Sequence, residues 1–98
     1  MLPDEYEFKT TFWSDFTIAD AFGDSAIKDT FRRAFNEWKD QAVYVTELAL
    51  VMNWKCWAWN EKNDERMELY REFYYKVRDY ALDHLKGPDL KYYLETTD

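Results

Sequence analysis

Cys56 and His84 are the single cysteine and the single histidine of this chain, so a thiolate–imidazole pair is the first chemistry to look for. Cys56 lies in Asn53–Asn60, NWKCWAWN, where three tryptophans crowd around it. A metal or redox site, an aromatic ligand box and a packed core would each leave such a stretch. Zinc needs several ligands, usually in CxxC or HxxxH spacing, and neither is present. A small buried thiol and a helix-end histidine held by the C-terminal dipole is the simpler reading. Asp79, Asp83 and His84 set two carboxylates one turn apart beside an imidazole. Di-metal bundles draw ExxH pairs from two helices, which this chain lacks, so a solvated helix face accounts for the group. There is no GxGxxG, P-loop, HExxH or GxSxG. The expectation is a protein that is not an enzyme, with no catalytic residue, no cofactor and no metal ligand.

The remaining candidates are surfaces that bind. Glu61, Glu65, Glu68 and Glu72 follow one another at helical spacing, with Arg71 and Lys76 placed to pair with Glu68 and Glu72. The stripe reads either as a wet helix face or as a mimic of DNA phosphates. Tyr74-Tyr75 and Tyr92-Tyr93 are adjacent pairs, and neighbours on a helix diverge by about 100°. One of each pair should leave the core, so Tyr75 and Tyr92 join the four glutamates as candidate partner-binding residues.

Composition narrows the classes further. The 98 residues carry a net charge of −7, and the first 24 hold Asp4, Glu5, Glu7, Asp15, Asp20 and Asp24 against Lys9 alone. Phosphate binding selects basic surfaces, so no direct nucleic-acid binding is expected; a basic protein partner fits better. Arg32-Arg33 with Lys28 and Lys39 forms the one basic cluster, suited to pairing with the acidic segments. A lone cysteine, no apolar leader and no run near the roughly 20 residues of a membrane span point to a cytoplasmic chain that does not enter membranes.

The elements that position these residues follow from spacing. Aromatics make up 20% of the chain, while glycine and proline appear twice each, which favours helices over turn-rich sheets. Tyr6 and Phe8 alternate with charged residues, so residues 1–13 read as an extended arm. Ser14-Asp15 can cap a short helix over 14–22 that ends on Gly23 in a left-handed C′ position, with Asp24-Ser25 as the next N-cap. Ile27, Phe31, Ala34, Phe35 and Trp38 then mark one face of a helix over 25–39. An unbroken helix on to Asn60 would be about 54 Å long, while a compact chain of this size has a radius of gyration near 13 Å. A break is therefore expected near Asp40.

The helix over 41–60 is apolar nearly all round, with Thr46, Asn53 and Asn60 as a narrow wet strip. That pattern predicts a buried central helix in which Trp54, Trp57 and Trp59 are core. Asn63 or Asp64 should cap a helix over 64–86, stopped by Lys86-Gly87-Pro88, and Pro88 can open a short helix over 88–95. The predicted fold is a single all-α domain, a compact bundle of three main helices with short N- and C-terminal helices.

The stretches Phe12–Gly23 (FWSDFTIADAFG), Asp29–Lys39 (DTFRRAFNEWK) and Thr46–Lys55 (TELALVMNWK) resemble small uncharacterised proteins of bacteriophages and integrative mobile elements. The resemblance implies a small accessory protein that acts by contacting another protein, inhibitors of host defence being one such class. The expected function is non-catalytic protein–protein interaction, with a homodimer as one form of it. The alternatives are an acidic decoy for a nucleic-acid-binding defence protein, and a small-molecule binder with an aromatic pocket.

Overall fold

The computed structural model describes residues 5–97, with side chains from residue 11 onward. Five helices follow one another: α1 (Glu5–Phe22), α2 (Asp24–Trp38), α3 (Ala42–Trp59), α4 (Asp64–His84) and α5 (Pro88–Thr97). No strand occurs among the described residues, so the chain is all-α.

The expected extended arm does not form over residues 5–13, where α1 has already begun; residues 1–4 lie outside the described residues. Phe12, Phe16 and Ala19 give the reason. Spaced i, i+4, i+7, they share one helical face, and all three are buried. In an extended chain Ala19 would turn away from the two rings. Ser14 and Asp15 are consequently exposed mid-helix residues rather than caps. With 18 residues, α1 is as long as α3, so the bundle is not three main helices with short flanks. Only α5, at 10 residues, is short.

Gly23 joins α1 to α2 in a different way from that expected. Its φ of 116° and ψ of −177° lie outside the left-handed helical region, and it serves as the N-cap of α2 in place of Asp24 or Ser25. Its N–H donates to the Ala19 carbonyl at 3.0 Å, while its own carbonyl accepts from Ile27 at 3.1 Å. A positive φ of this size is open to glycine and costly to other residues. The chain breaks after Trp38 and restarts at Gln41, whose N–H donates to the Trp38 carbonyl at 3.0 Å. That reversal gives a radius of gyration of 13.0 Å.

Helix α3 is the centre of the bundle: it packs most extensively on α4 and also touches α1, α2 and α5. Val45, Leu48, Ala49, Val51 and Met52 of α3 meet Ile27 and Phe31 of α2, Leu69, Tyr70, Phe73 and Val77 of α4, and Tyr93 of α5 in one core. The Phe31 and Phe73 rings stack at 4.1 Å, joining α2 to α4. Each large side chain fully removed from water contributes about 1.5–3 kcal/mol, and burial of this kind holds the helices together around a single free cysteine. At the start of α4, Asn63 Oδ1 accepts from the Arg66 N–H at 3.1 Å, the cap anticipated from the sequence. After α4, Gly87 takes a φ of 57° and Pro88 opens α5. No described helix is long and apolar enough to cross a membrane.

Candidate functional site

Two of the three tryptophans of NWKCWAWN are not core, while Trp59 packs against it. Trp54 is 59% and Trp57 71% exposed, while Trp59 is half-buried. The burial of α3 is graded along its length. Tyr44 to Ala49, Val51 and Met52 are enclosed, but beyond Met52 only Lys55 is buried, and the far end of the helix emerges from its neighbours. Apolar character all round the helix does not secure burial all round; that depends on how far the surrounding helices reach. Thr46, assigned to the wet strip, is buried instead and donates to the Ala42 carbonyl at 2.7 Å.

Trp57 stands between two hollows. One, of about 430 Å³, lies between α3 and α4 and is lined by Asn53, Cys56, Trp57, Asn60, Met67, Arg71, Tyr74 and Tyr75. The other is formed by Trp54, Trp57 and Ala58. Trp54 and Trp57 are three residues apart and so neighbours on the helix, a spacing that points to one surface rather than to divergent directions. Trp54 is steadied from behind by Trp13, ring centroids 6.2 Å apart and edge-on. The Trp13 indole N–H donates in turn to buried Glu47 at 3.1 Å.

The mouth of the cleft is polar. Arg71 Nη1 lies 3.1 Å from Glu68 Oε1, so its charge is matched from within α4. Burial pushes the Cys56 thiol above its usual range, with Arg71 pulling the other way and Glu68 adding to the rise. A thiol held protonated is a poor nucleophile. His84 is not beside it: its ring stacks on Tyr80 at 4.3 Å, near the other end of α4. Among the described residues, no three His, Cys, Asp or Glu side chains are grouped so as to hold a metal ion.

Behind Trp59 lies a polar cluster that fastens α1 to the rest. Lys55 Nζ is 2.8 Å from Asp20 Oδ2, and Tyr70 donates its hydroxyl to Asp20 Oδ1. Arg66 donates to the Asp20 carbonyl at 2.9 Å and to Asp24 Oδ1 at 3.2 Å, with its guanidinium 4.4 Å from the centre of the Trp59 ring. Burial, reinforced by Asp20, pushes the Tyr70 phenol far above its ordinary range. These contacts are internal and saturated, which suits an anchor rather than a reactive site.

Compared with protein-family models, curated proteins and solved structures, the chain matches none. Function is therefore read from its own side chains.

Of the residues singled out in the sequence, Tyr75 (51% exposed) lines the Trp57 cleft, while Tyr92 (40% exposed) stands on α5 away from it. The acidic stripe is not a continuous helical row. Glu61 sits in the turn before α4 with a φ of 69°, and Glu68 is engaged with Arg71. Glu65, Glu68 and Glu72 share a shallow face with Asp24, Asp64 and Lys28. Of the basic cluster, Arg32 is bound to Asp29 of its own helix at 2.8 Å, and Lys39 lies 5.9 Å from both the Phe35 and Tyr80 rings; the side chains of Asp4, Glu5 and Glu7 lie outside those described. Trp54 and Trp57 were not legible as surface residues, because aromatic and apolar residues at helical spacing look alike whether or not another helix covers them.

Proposed function

We propose that the protein is a non-catalytic interaction module, a small accessory protein that docks onto another protein through the aromatic surface around Trp57. The observation that carries this reading is the exposure of Trp54 and Trp57 at 59% and 71% on adjoining hollows, next to Tyr75. Leaving such rings in water forfeits hydrophobic stabilisation that a bound partner would recover. Trp, Tyr and Arg are the residue types that dominate binding energy at protein interfaces, and all three meet here. The resemblance to small phage and mobile-element proteins supports an accessory role of this kind.

Affinity capture from native bacterial extract, run in parallel with the wild-type chain and with Trp57→Ala, tests the reading. A protein retained by the first and lost by the second is the expected result. Identical sets retained by both would remove the basis for placing the interface at Trp57.

A second reading draws on the cleft's volume of about 430 Å³, which falls in the range of roughly 300–1,000 Å³ typical of small-ligand sites. Native mass spectrometry of the freshly purified protein separates the two: a retained small molecule lost in Trp57→Ala favours the ligand, a bare chain favours the protein surface.

A further inference from the structure

Resting on that reading, we infer that the occupant of the Trp57 cleft is a cationic segment of a partner protein, an arginine- or lysine-bearing stretch laid over the Trp57 and Tyr75 rings. The inference starts from the charges around the cleft. Its one cationic lining residue, Arg71, is matched by Glu68 at 3.1 Å and so does not repel an incoming cation as a free guanidinium would. Tyr75 follows Glu72 by three residues and Glu68 by seven, which places it in line with both carboxylates along the outer face of α4. All three are exposed, as are Asp64 and Glu65 in the first turn of the same helix. Of the other cations nearby, Arg66 is turned inward to Asp24, and Lys62 stands in the turn. Lys28, Arg32 and Lys76 gather with Glu72 in the separate hollow between α2 and α4.

The molecule already uses this recognition internally. Arg66 covers one indole, Trp59, at 4.4 Å, and Lys39 lies over Phe35 and Tyr80 at 5.9 Å. Trp57 lies two residues from Trp59 and so points to the other side of α3, where its ring meets solvent. A cation over an aromatic face is attracted by the ring quadrupole, most strongly over tryptophan. A second copy fits less well: a two-fold contact here would bring the Glu65–Glu68–Glu72 face of one chain near its equal in another chain of net charge −7.

The test is calorimetric titration with an amphipathic peptide of about 14 residues, roughly 21 Å as a helix, bearing leucine on one face and arginine on the other. A matched peptide carries citrulline, which keeps the shape and removes the charge. Binding of the arginine peptide should weaken at least about tenfold on the change to citrulline, and by a similar factor in Trp57→Ala. Glu72→Gln, which leaves the Arg71–Glu68 pair intact, should weaken it too and flatten its dependence on salt. Equal binding of the two peptides, both lost in Trp57→Ala, would overturn the cationic occupant while leaving the cleft as a docking site. Undiminished binding to Trp57→Ala, or no binding at all, would overturn it as well. So would a wild-type dimer by sedimentation that Trp57→Ala converts to monomer, since a second copy would then fill the cleft.

Discussion

Lys55 Nζ and Asp20 Oδ2 lie 2.8 Å apart, their side chains only 10% and 14% exposed, and this pair ties the end of α1 to the middle of the bundle. Asp20 also accepts from Tyr70, and its backbone carbonyl accepts from Arg66, so one residue receives bonds from α3 and α4. Removing one member of a buried pair strands the other's charge, at a cost of about 3–5 kcal/mol, whereas removing both is far milder. Lys55→Met should therefore lower stability in urea denaturation by roughly that amount. Asp20→Asn/Lys55→Met should lose clearly less than the two single changes added together. Additive losses would show that the pair is not coupled.

Tyr93 is fully buried, and its hydroxyl makes no well-formed hydrogen bond among the described residues, the Thr97 side chain offering at most a weak one. Burying a hydroxyl unpaired is unfavourable, so Tyr93→Phe should match or exceed wild-type stability, by up to about 1 kcal/mol. Burial pushes its phenol up to about 12 from the ordinary 10. The folded state then holds the proton that the unfolded chain releases, so this contribution is intact below pH 10 and is lost as pH rises from 10 to 12. Melting temperatures across that window should fall less steeply for Tyr93→Phe than for wild type.

Trp57→Ala removes an exposed ring, so its unfolding free energy from urea denaturation should stay within about 0.5 kcal/mol of wild type. Phe31→Ala removes a buried ring stacked on Phe73 at 4.1 Å and should cost about 3–5 kcal/mol. The contrast separates surface from core. Comparable losses at the two positions would place Trp57 in the packed interior.

Cys56 has a raised thiol pKa, so less of it is thiolate at neutral pH than of a free cysteine. Alkylation by iodoacetamide at pH 7.5 should be slower than for a cysteine-containing peptide and should climb with pH beyond the point where the peptide's rate levels off. A rate above the peptide's at neutral pH would mean an activated thiol and would reopen a catalytic role.

Gly23 holds a φ of 116° with open space where a Cβ would stand. Gly23→Ala meets no steric obstacle there, so its cost is that of the backbone conformation alone, about 1–3 kcal/mol by thermal melting.

The all-helical character, the Asn63 cap, the stop at Gly87-Pro88, the break near Asp40 and the core-facing side of α2 were all legible in the sequence. The cap, the stop and the α2 face depend on residues within a few positions of one another, through dihedral preference, capping geometry or the 3.6-residue repeat, while the helical character followed from composition and the break from chain length against compactness. The start of α1 was written there as well, in the spacing of Phe12, Phe16 and Ala19, but the alternating Tyr6 and Phe8 masked it. What only the tertiary structure decided is coverage. Spacing marks a face of α3 as apolar; whether that face meets another helix or water depends on where the distant chain ends up. Thus Glu47 and Lys55 were drawn inside by Trp13 and Asp20, while Trp54 and Trp57 were left outside. Partners separated by 34 or 35 residues, as in the Trp13–Glu47 and Asp20–Lys55 contacts, leave no local pattern, because burial belongs to the assembled surfaces and not to any one helix.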